Sequence, residues 1–246
     1  MSTILKENER IDDLEYKGLK IIQNTNSFCF GIDAVLLSDF AKEIRNNSTV
    51  VDLGTGTGII SILLSKKANP KKIIAVEIQE KMAEMATRSV QLNSLQDIIE
   101  IENIDLKCLN IQQNSIDVVV TNPPYKKENS GILNESEEQK ISRHETACTL
   151  EDVCRVSAKM LKPLGTIYMV HRPERLVDIF CEMRKVGLEP KKIRLVKPKE
   201  NAKPNIVLIK AVKNWKPFLQ VEKELTVYEQ NGEYTDEILK IYEKER

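Results

Sequence analysis

Between residues 48 and 187, short apolar runs alternate with stretches whose apolar positions recur every three to four residues. That pattern predicts strand, helix, strand, helix. "TVVDLG" (49–54) reads as a first strand and "GIISILLSKKA" (58–68) as a helix whose basic end suits the helix dipole. "KKIIAVEI" (71–78) is a second strand, followed by an amphipathic helix, "EKMAEMATRSVQLN" (80–93), with Asn93 as its C-cap. "DIIEIENID" (97–105) and "SIDVVVTN" (115–122) are the third and fourth strands. "TLEDVCRVSAKMLK" (149–162) is a helix with Thr149 as N-cap and Asp152 at its third position. "GTIYMVH" (165–171) is the fifth strand, and "PERLVDIFCEMRKVG" (173–187) is a helix opened by proline and closed by Gly187. Upstream, "LEYKGLKII" (14–22) reads as a hairpin around Lys17-Gly18 and "GIDAVLLSDFAKEI" (31–44) as a helix.

Strands alternating with helices imply an α/β fold with a parallel sheet covered on both faces. The end departs from this rule. "EPKKIRLVKPK" (189–199) and "KPNIVLIKAVK" (203–213) are strand-like and joined only by "ENA", so they must pair antiparallel. The expected organisation is an N-terminal hairpin and helix over 1–46, a main domain over 47–215, and a charged helical tail over 216–246, expected to be a solvated flank.

Charge alone names no partner, because Lys+Arg and Asp+Glu are both 37. No apolar run approaches the ~20 residues that span a bilayer, and the polar, acidic N-terminus is unlike a targeting signal. Five scattered cysteines without a CxxC pair suit a reducing cytoplasm. Two histidines and no HExxH make a protein-built metal site unexpected. The expectation is therefore a cytoplasmic protein, monomeric, with no membrane and no metal.

The first strand runs into "VVDLGTGTG": Asp52, then Gly54, Thr55, Gly56 and Gly58 before a helix. Alternate glycines let a backbone pass close to a ligand and aim N–H groups at it. The Gly-Lys-Ser/Thr of a phosphate loop is missing, and the spacing is GxGxG rather than the GxGxxG of a dinucleotide site. An aspartate two residues before the first glycine is awkward beside a pyrophosphate but suits a positive ligand. S-adenosylmethionine is one, with an ammonium, a sulfonium and no phosphate. The second strand leads to Glu77, suited to ribose hydroxyls, and Ile78 follows it. The third leads to Asp105, which either accepts from the adenine amine or caps the next helix.

In order along 48–213, "VDLGTGTG", Glu77, "LKPLG" and the closing hairpin resemble the class I S-adenosylmethionine-dependent methyltransferases. That resemblance implies a Rossmann-like sheet of seven strands: five parallel, plus a C-terminal antiparallel hairpin. "LKPLG" departs from the commoner "LKPGG" only within a turn. The resemblance also puts strand four beside strand one, and Asn122, Pro123, Pro124 and Tyr125 beside the reactive methyl. An exocyclic amine is a poor nucleophile while its lone pair is delocalised. The Asn122 amide oxygen and the Pro123 carbonyl could each accept one N–H and favour a tetrahedral nitrogen. Rigid prolines expose that carbonyl, and Tyr125 offers a face for a flat substrate.

Asn-Pro-Pro-Tyr marks N-methylation of planar amines or amides: adenine N6, or protein glutamine N5. Guanine N2 enzymes resemble it with a different last residue. The N-terminal hairpin followed by Phe28-Cys29-Phe30-Gly31-Ile32-Asp33 resembles the bacterial tRNA adenine-N6 methyltransferases that act next to the anticodon of tRNA1(Val). This implies tRNA as partner and adds Phe30 and Asp33 to the cofactor-contacting set. Arg143 and His144 in "SRHE", and Lys126 and Lys127 past the motif, are candidate substrate contacts or a plain surface cluster. A basic segment from Arg184 to Lys216, including Lys191, Lys192, Arg194, Lys197, Lys199 and Lys203, is a candidate phosphate face. The competing use of those lysines is to guard a solvated sheet edge. Alternatives within the class are release-factor glutamine methylation and rRNA adenine or guanine methylation. Outside it stands an RNA-binding module without methyl transfer.

Overall fold

A computed structural model describes residues 5–26, 31–125 and 148–244. Among these described residues, eleven strands and six α-helices follow in order: β1 (Glu9–Asp13), β2 (Lys20–Asn24), α1 (Ile32–Phe40), β3 (Thr49–Leu53), α2 (Ile59–Lys67), β4 (Lys72–Val76), α3 (Glu80–Leu92), β5 (Ile99–Glu102), β6 (Ile116–Thr121), α4 (Leu150–Met160), β7 (Leu161–His171), α5 (Leu176–Lys185), β8 (Leu188–Lys197), β9 (Ile206–Lys213), β10 (Gln220–Val221), β11 (Leu225–Thr226) and α6 (Asp236–Ile241). Short 3-10 turns cover Leu106–Cys108 and Pro173–Arg175.

The main sheet runs β10-β8-β9-β7-β6-β3-β4-β5, with β11 also on β8. Strands β3 to β7 are mutually parallel and β9 is antiparallel to both β7 and β8. This is the Rossmann-like sheet of five parallel strands and a closing hairpin, widened by two short edge strands that periodicity did not reveal. Alternation within the strands divides the core between the two faces. Val50, Val118, Val120, Tyr168 and Val170 pack with α1, α2 and the N-terminal hairpin, while Val51, Val119, Ile167 and Met169 pack under α4 and α5. Thr149 and Asp152 form the expected capping box at the start of α4.

Three expectations need correction. The N-terminal hairpin turns where expected, at Lys17 and Gly18 (φ 49° and 70°), but its first arm is the polar Glu9–Asp13 rather than residues 14–16. Leu14, Tyr16 and Leu19 lie in the turn and are buried. The third parallel strand stops at Glu102, three residues short of Asp105. The C-terminal segment is no solvated flank. Leu225, Val227, Ile238 and Ile241 are buried in the same core cluster as α1 and α2, Lys67 donates to the Ile241 carbonyl at 2.8 Å, and the Tyr16 hydroxyl donates to Glu243 at 2.9 Å. The apolar positions in this segment are too sparse to announce a core element. They are buried because β10 and β11 pair on β8 and the last helix packs against α1.

Candidate active site

The glycine loop joins β3 to α2 at the carboxyl edge of the sheet, where open α/β sheets bind ligands. Gly54 and Gly56 have φ of +74° and +60°, and a Cβ at either would meet nothing within 4 Å. Glycine is required here by the backbone rather than by crowding, and open space lies beside it. The expectation that the loop aims its N–H groups outward is corrected. Gly54 and Thr55 donate to the Val76 carbonyl, Gly56 to Glu77 and Gly58 to the Thr55 carbonyl. The loop is a braced floor, and its donors are used to hold its own shape.

Asp52 lies fully buried under this floor. Thr55 and Ser61 hydroxyls donate to its Oδ2 at 2.6 and 2.7 Å. Its Oδ1 has no hydrogen-bond partner among the described residues. Burial pushes the carboxyl up to about 6, and the hydroxyl donors offset only part of that. Glu77, 5% exposed, accepts from Gly56 N on one oxygen and Gln79 N on the other, both at 2.9 Å. Asn103 braces the same strand end by donating to the Glu77 carbonyl at 2.8 Å.

The neighbouring strand supplies the other half. Thr121 of β6 pairs with Leu53 of β3, so the next residue, Asn122, stands level with Gly54. Tyr125 Oη lies 2.6 Å from Asp33 Oδ2 and 2.7 Å from the terminal amide of Asn122. Its ring is tilted against His171 with centroids 5.1 Å apart, and the Arg172 guanidinium sits 4.9 Å over it. Arg172 is held in turn by the Asn205 carbonyl at 2.8 Å, in the β8–β9 connection. Burial and the Asp33 charge raise Tyr125, which therefore stays a phenol. Burial and the nearby Arg175 pull His171 down to about 4, so it is a neutral imidazole, with Nδ1 accepting from Arg172 N.

The model of the methyltransferase small domain family matches residues 22–178. The chain belongs to this family. Among curated proteins, a tRNA1(Val) (adenine(37)-N6)-methyltransferase from Bacteroides fragilis is 26% identical over 92% of this chain and 94% of its own length. One of the same name from Trichodesmium erythraeum is 24% identical over 93% and 95%. Among solved structures, a predicted O-methyltransferase from Agrobacterium tumefaciens superposes with a TM-score of 0.69 at 19% identity, covering 86% of this chain and 95% of its own. M. jannaschii TYW2 in complex with AdoMet gives 0.58 at 17% identity, covering 84% and 86%. The chain is a methyltransferase, and S-adenosylmethionine is its methyl donor.

The residues of this methyltransferase fit that donor on one structural observation: a buried carboxylate oxygen of Asp52 lacks a partner, and S-adenosylmethionine brings an ammonium. Ile78 is exposed beside Glu77, a free apolar face on the same rim. Asp105 accepts from Lys107 N at 2.9 Å and caps the following 3-10 turn. Phe30, Lys126, Lys127, Arg143 and His144 lie outside the described residues.

The basic segment is less open than its sequence implied. Lys192 pairs with Glu222 at 2.9 Å, Lys197 with Glu224 at 3.5 Å, and Arg194 with Glu237. Lys191 donates to the Lys216 carbonyl. The C-terminal segment thus supplies carboxylates that neutralise much of the stripe. Lys199 and Lys203 stay exposed in the β8–β9 connection. They sit at the same sheet edge as Tyr125, since β8 runs parallel to β7. His171, Arg172, Arg175 and Asn103 were not singled out in the sequence. The one available signal was position, because His171 ends the fifth parallel strand at the ligand edge and Arg172 follows it.

Proposed function

We propose that this methyltransferase N6-methylates an adenine in tRNA, with the base turned out of its stack and held at Asn122-Pro123-Pro124-Tyr125. The observation that supports the reading is the register of β6 on β3, Thr121 beside Leu53, which brings the chain to residue 122 next to the start of the glycine loop. The curated relatives named above support tRNA as the substrate class.

S-adenosylmethionine, when bound, supplies an electrophilic methyl group. Asp52 would meet its ammonium, Glu77 its ribose hydroxyls and Ile78 the face of its adenine. Asn122 and the Pro123 carbonyl would each accept one N–H of the substrate amine and turn its lone pair toward the methyl. Positioning and fixed dipoles do the work, and no covalent enzyme intermediate is needed. Tyr125, with Arg172 over its ring, would border the base. Lys199, Lys203 and Arg175 would meet phosphates at the rim, a smaller contact than the whole basic stripe.

A second reading, N5-methylation of a protein glutamine, uses the same two acceptors. What favours it is the pairing of Lys192, Arg194 and Lys197 with acids, which leaves less charge for a polyanion. The test is transfer from labelled S-adenosylmethionine to unmodified total tRNA, to rRNA and to a protein extract, with the labelled product identified. N6-methyladenosine in tRNA is the expected result. Label confined to protein as methylglutamine would overturn the reading.

A further inference from the structure

The hydroxyl of Tyr125 lies within hydrogen-bond distance of two oxygens, Asp33 Oδ2 at 2.6 Å and Asn122 Oδ1 at 2.7 Å. A phenol has one proton and two lone pairs. Asp33, a carboxylate, offers only acceptors, and its contact is the shorter, as a charge-assisted bond should be. If the proton lies there, the atom that Asn122 turns toward Tyr125 must be a donor. Two oxygens without a proton between them at 2.7 Å would repel. The oxygen and nitrogen of a carboxamide have nearly the same shape, so their assignment follows from the hydrogen-bond network. Turning the Asn122 amide over, so that Nδ2 rather than Oδ1 faces Tyr125, removes the conflict and carries the amide oxygen to the opposite position. The chain at Asn122 follows Thr121, which pairs with Leu53 at the start of the glycine loop.

We propose that Asp33 is a positioning residue for methyl transfer. By taking the Tyr125 proton it makes the Tyr125 oxygen an acceptor. That oxygen then draws in the Asn122 amide nitrogen and leaves the amide oxygen facing the substrate amine. Without Asp33, the Tyr125 proton is free to point at Asn122 and to turn the amide around. It would then present two N–H donors to a substrate that is itself a donor. Asp33 reaches this network from the second residue of α1, 92 residues away in sequence. The inference rests on the role proposed above for Asn122 and assigns Asp33 to Tyr125 rather than to the cofactor.

Two measurements test it. The first needs no substrate. In the ¹⁵N-labelled full-length chain, the Asn122 side-chain amide is assigned by its loss in Asn122→Asp. A nuclear Overhauser contact from its protons to the Tyr125 ring, weakened in Asp33→Ala, is expected. Its absence from the folded wild-type chain would overturn the proposal. The second is a cycle of Asp33→Ala, Tyr125→Phe and the double variant at saturating S-adenosylmethionine. Each single change should lower kcat about 10- to 100-fold, and the double should be no slower than Tyr125→Phe. S-adenosylmethionine binding by calorimetry should stay within about twofold, and Asp33→Asn, whose oxygen still accepts the proton, should recover most of the rate. Multiplying losses, weakened cofactor binding, or a folded Asp33→Asn as slow as Asp33→Ala would each overturn it. If wild type makes no N6-methyladenosine, the substrate reading fails, while the amide measurement still decides this one.

Discussion

The two halves of the active site are wired differently. On the β3–β4 side, polar groups answer one another over short stretches: Thr55 and Ser61 serve Asp52, and Gly56 and Gln79 serve Glu77. On the β6–β7 side the partners come from afar. Asp33 reaches Tyr125 across 92 residues and Arg175 reaches it across 50. Each half also holds a buried group whose titration is shifted within reach of ordinary pH, with opposite sense. Asp52 is pushed up to about 6 and His171 is pulled down to about 4, both toward neutrality. The first half is a rigid platform with one unanswered oxygen. The second is an alignment of groups whose value depends on direction. Losses in the first should appear as binding, and losses in the second as rate.

The largest effect should come from the acceptor half. Asn122→Ala should lower kcat by about 10²- to 10³-fold, the scale of a lost aligned polar group in an active site. S-adenosylmethionine binding, measured separately by calorimetry, should hardly change. Binding and rate falling together would erase the distinction between the halves.

Asp52→Asn should do the reverse and weaken S-adenosylmethionine binding about tenfold or more by removing the proposed partner of its ammonium. It should also stabilise the free protein. A carboxyl whose folded value is raised binds more protons folded than unfolded, so stability falls as pH rises from about 4 to about 6. Above that window the full cost of the buried charge is present, up to about 3 kcal/mol. Urea unfolding near neutral pH should therefore find the variant more stable than wild type. Equal stability would mean that the hydroxyls of Thr55 and Ser61 already offset the burial.

How much of each half could be read in advance follows from the same wiring. The platform is contiguous, so "VDLGTGTG" announced Asp52 and its glycines. Glu77 lay one strand on, at a distance that a strand–helix–strand unit makes regular. Asn122 through Tyr125 were legible as a motif for the same reason. Asp33 was noticed only through a resemblance, and its partner could not be named, because no local spacing links α1 to the end of β6. His171 and Arg172 looked like the end of an ordinary strand. The acidic partners of Lys192, Arg194 and Lys197 were missed because they lie in a segment read as a flank. Its few apolar residues gain meaning only once the edge of β8 is there to receive them. A basic stripe read without its tertiary partners overstates the free charge.

The paired burial gives a test with opposite signs. His171 has a folded value below its unfolded one, so the unfolded chain binds more protons between about 4 and 6.5 and stability rises with pH there, by up to about 3 kcal/mol. Asp52 pulls the other way over nearly the same window, and in wild type the two slopes largely cancel. Carboxylates held low, such as Asp117 beside Lys162 and Asp152 in its capping box, add a common rising background. The decisive quantity is thus a difference between variants. Unfolding midpoints followed from about pH 4.5 to 6.5 should rise more steeply than wild type in Asp52→Asn and less steeply in His171→Gln. Parallel curves for the two variants would remove burial as the common cause.

The smallest effects should lie at the rim, where the acceptor half meets the rest of the substrate. Lys199 and Lys203 are exposed at the sheet edge that carries Tyr125, whereas Lys192 already faces Glu222. Counterion release follows from charges that are free to meet phosphate, so the three lysines should not be equivalent. Lys199→Ala and Lys203→Ala should each weaken tRNA binding a few-fold and lower the salt slope by about one. Lys192→Ala should leave the slope unchanged, because a lysine already held by Glu222 releases no counterion by meeting phosphate. Filter binding of tRNA across a salt series measures all three. A larger change in slope for Lys192→Ala than for Lys199→Ala would move the RNA path off the ligand edge and onto the outer face of β8. In that case the carboxylates of the C-terminal segment would be competitors of the phosphates, and Glu222→Gln should tighten binding where Lys192→Ala loosens it.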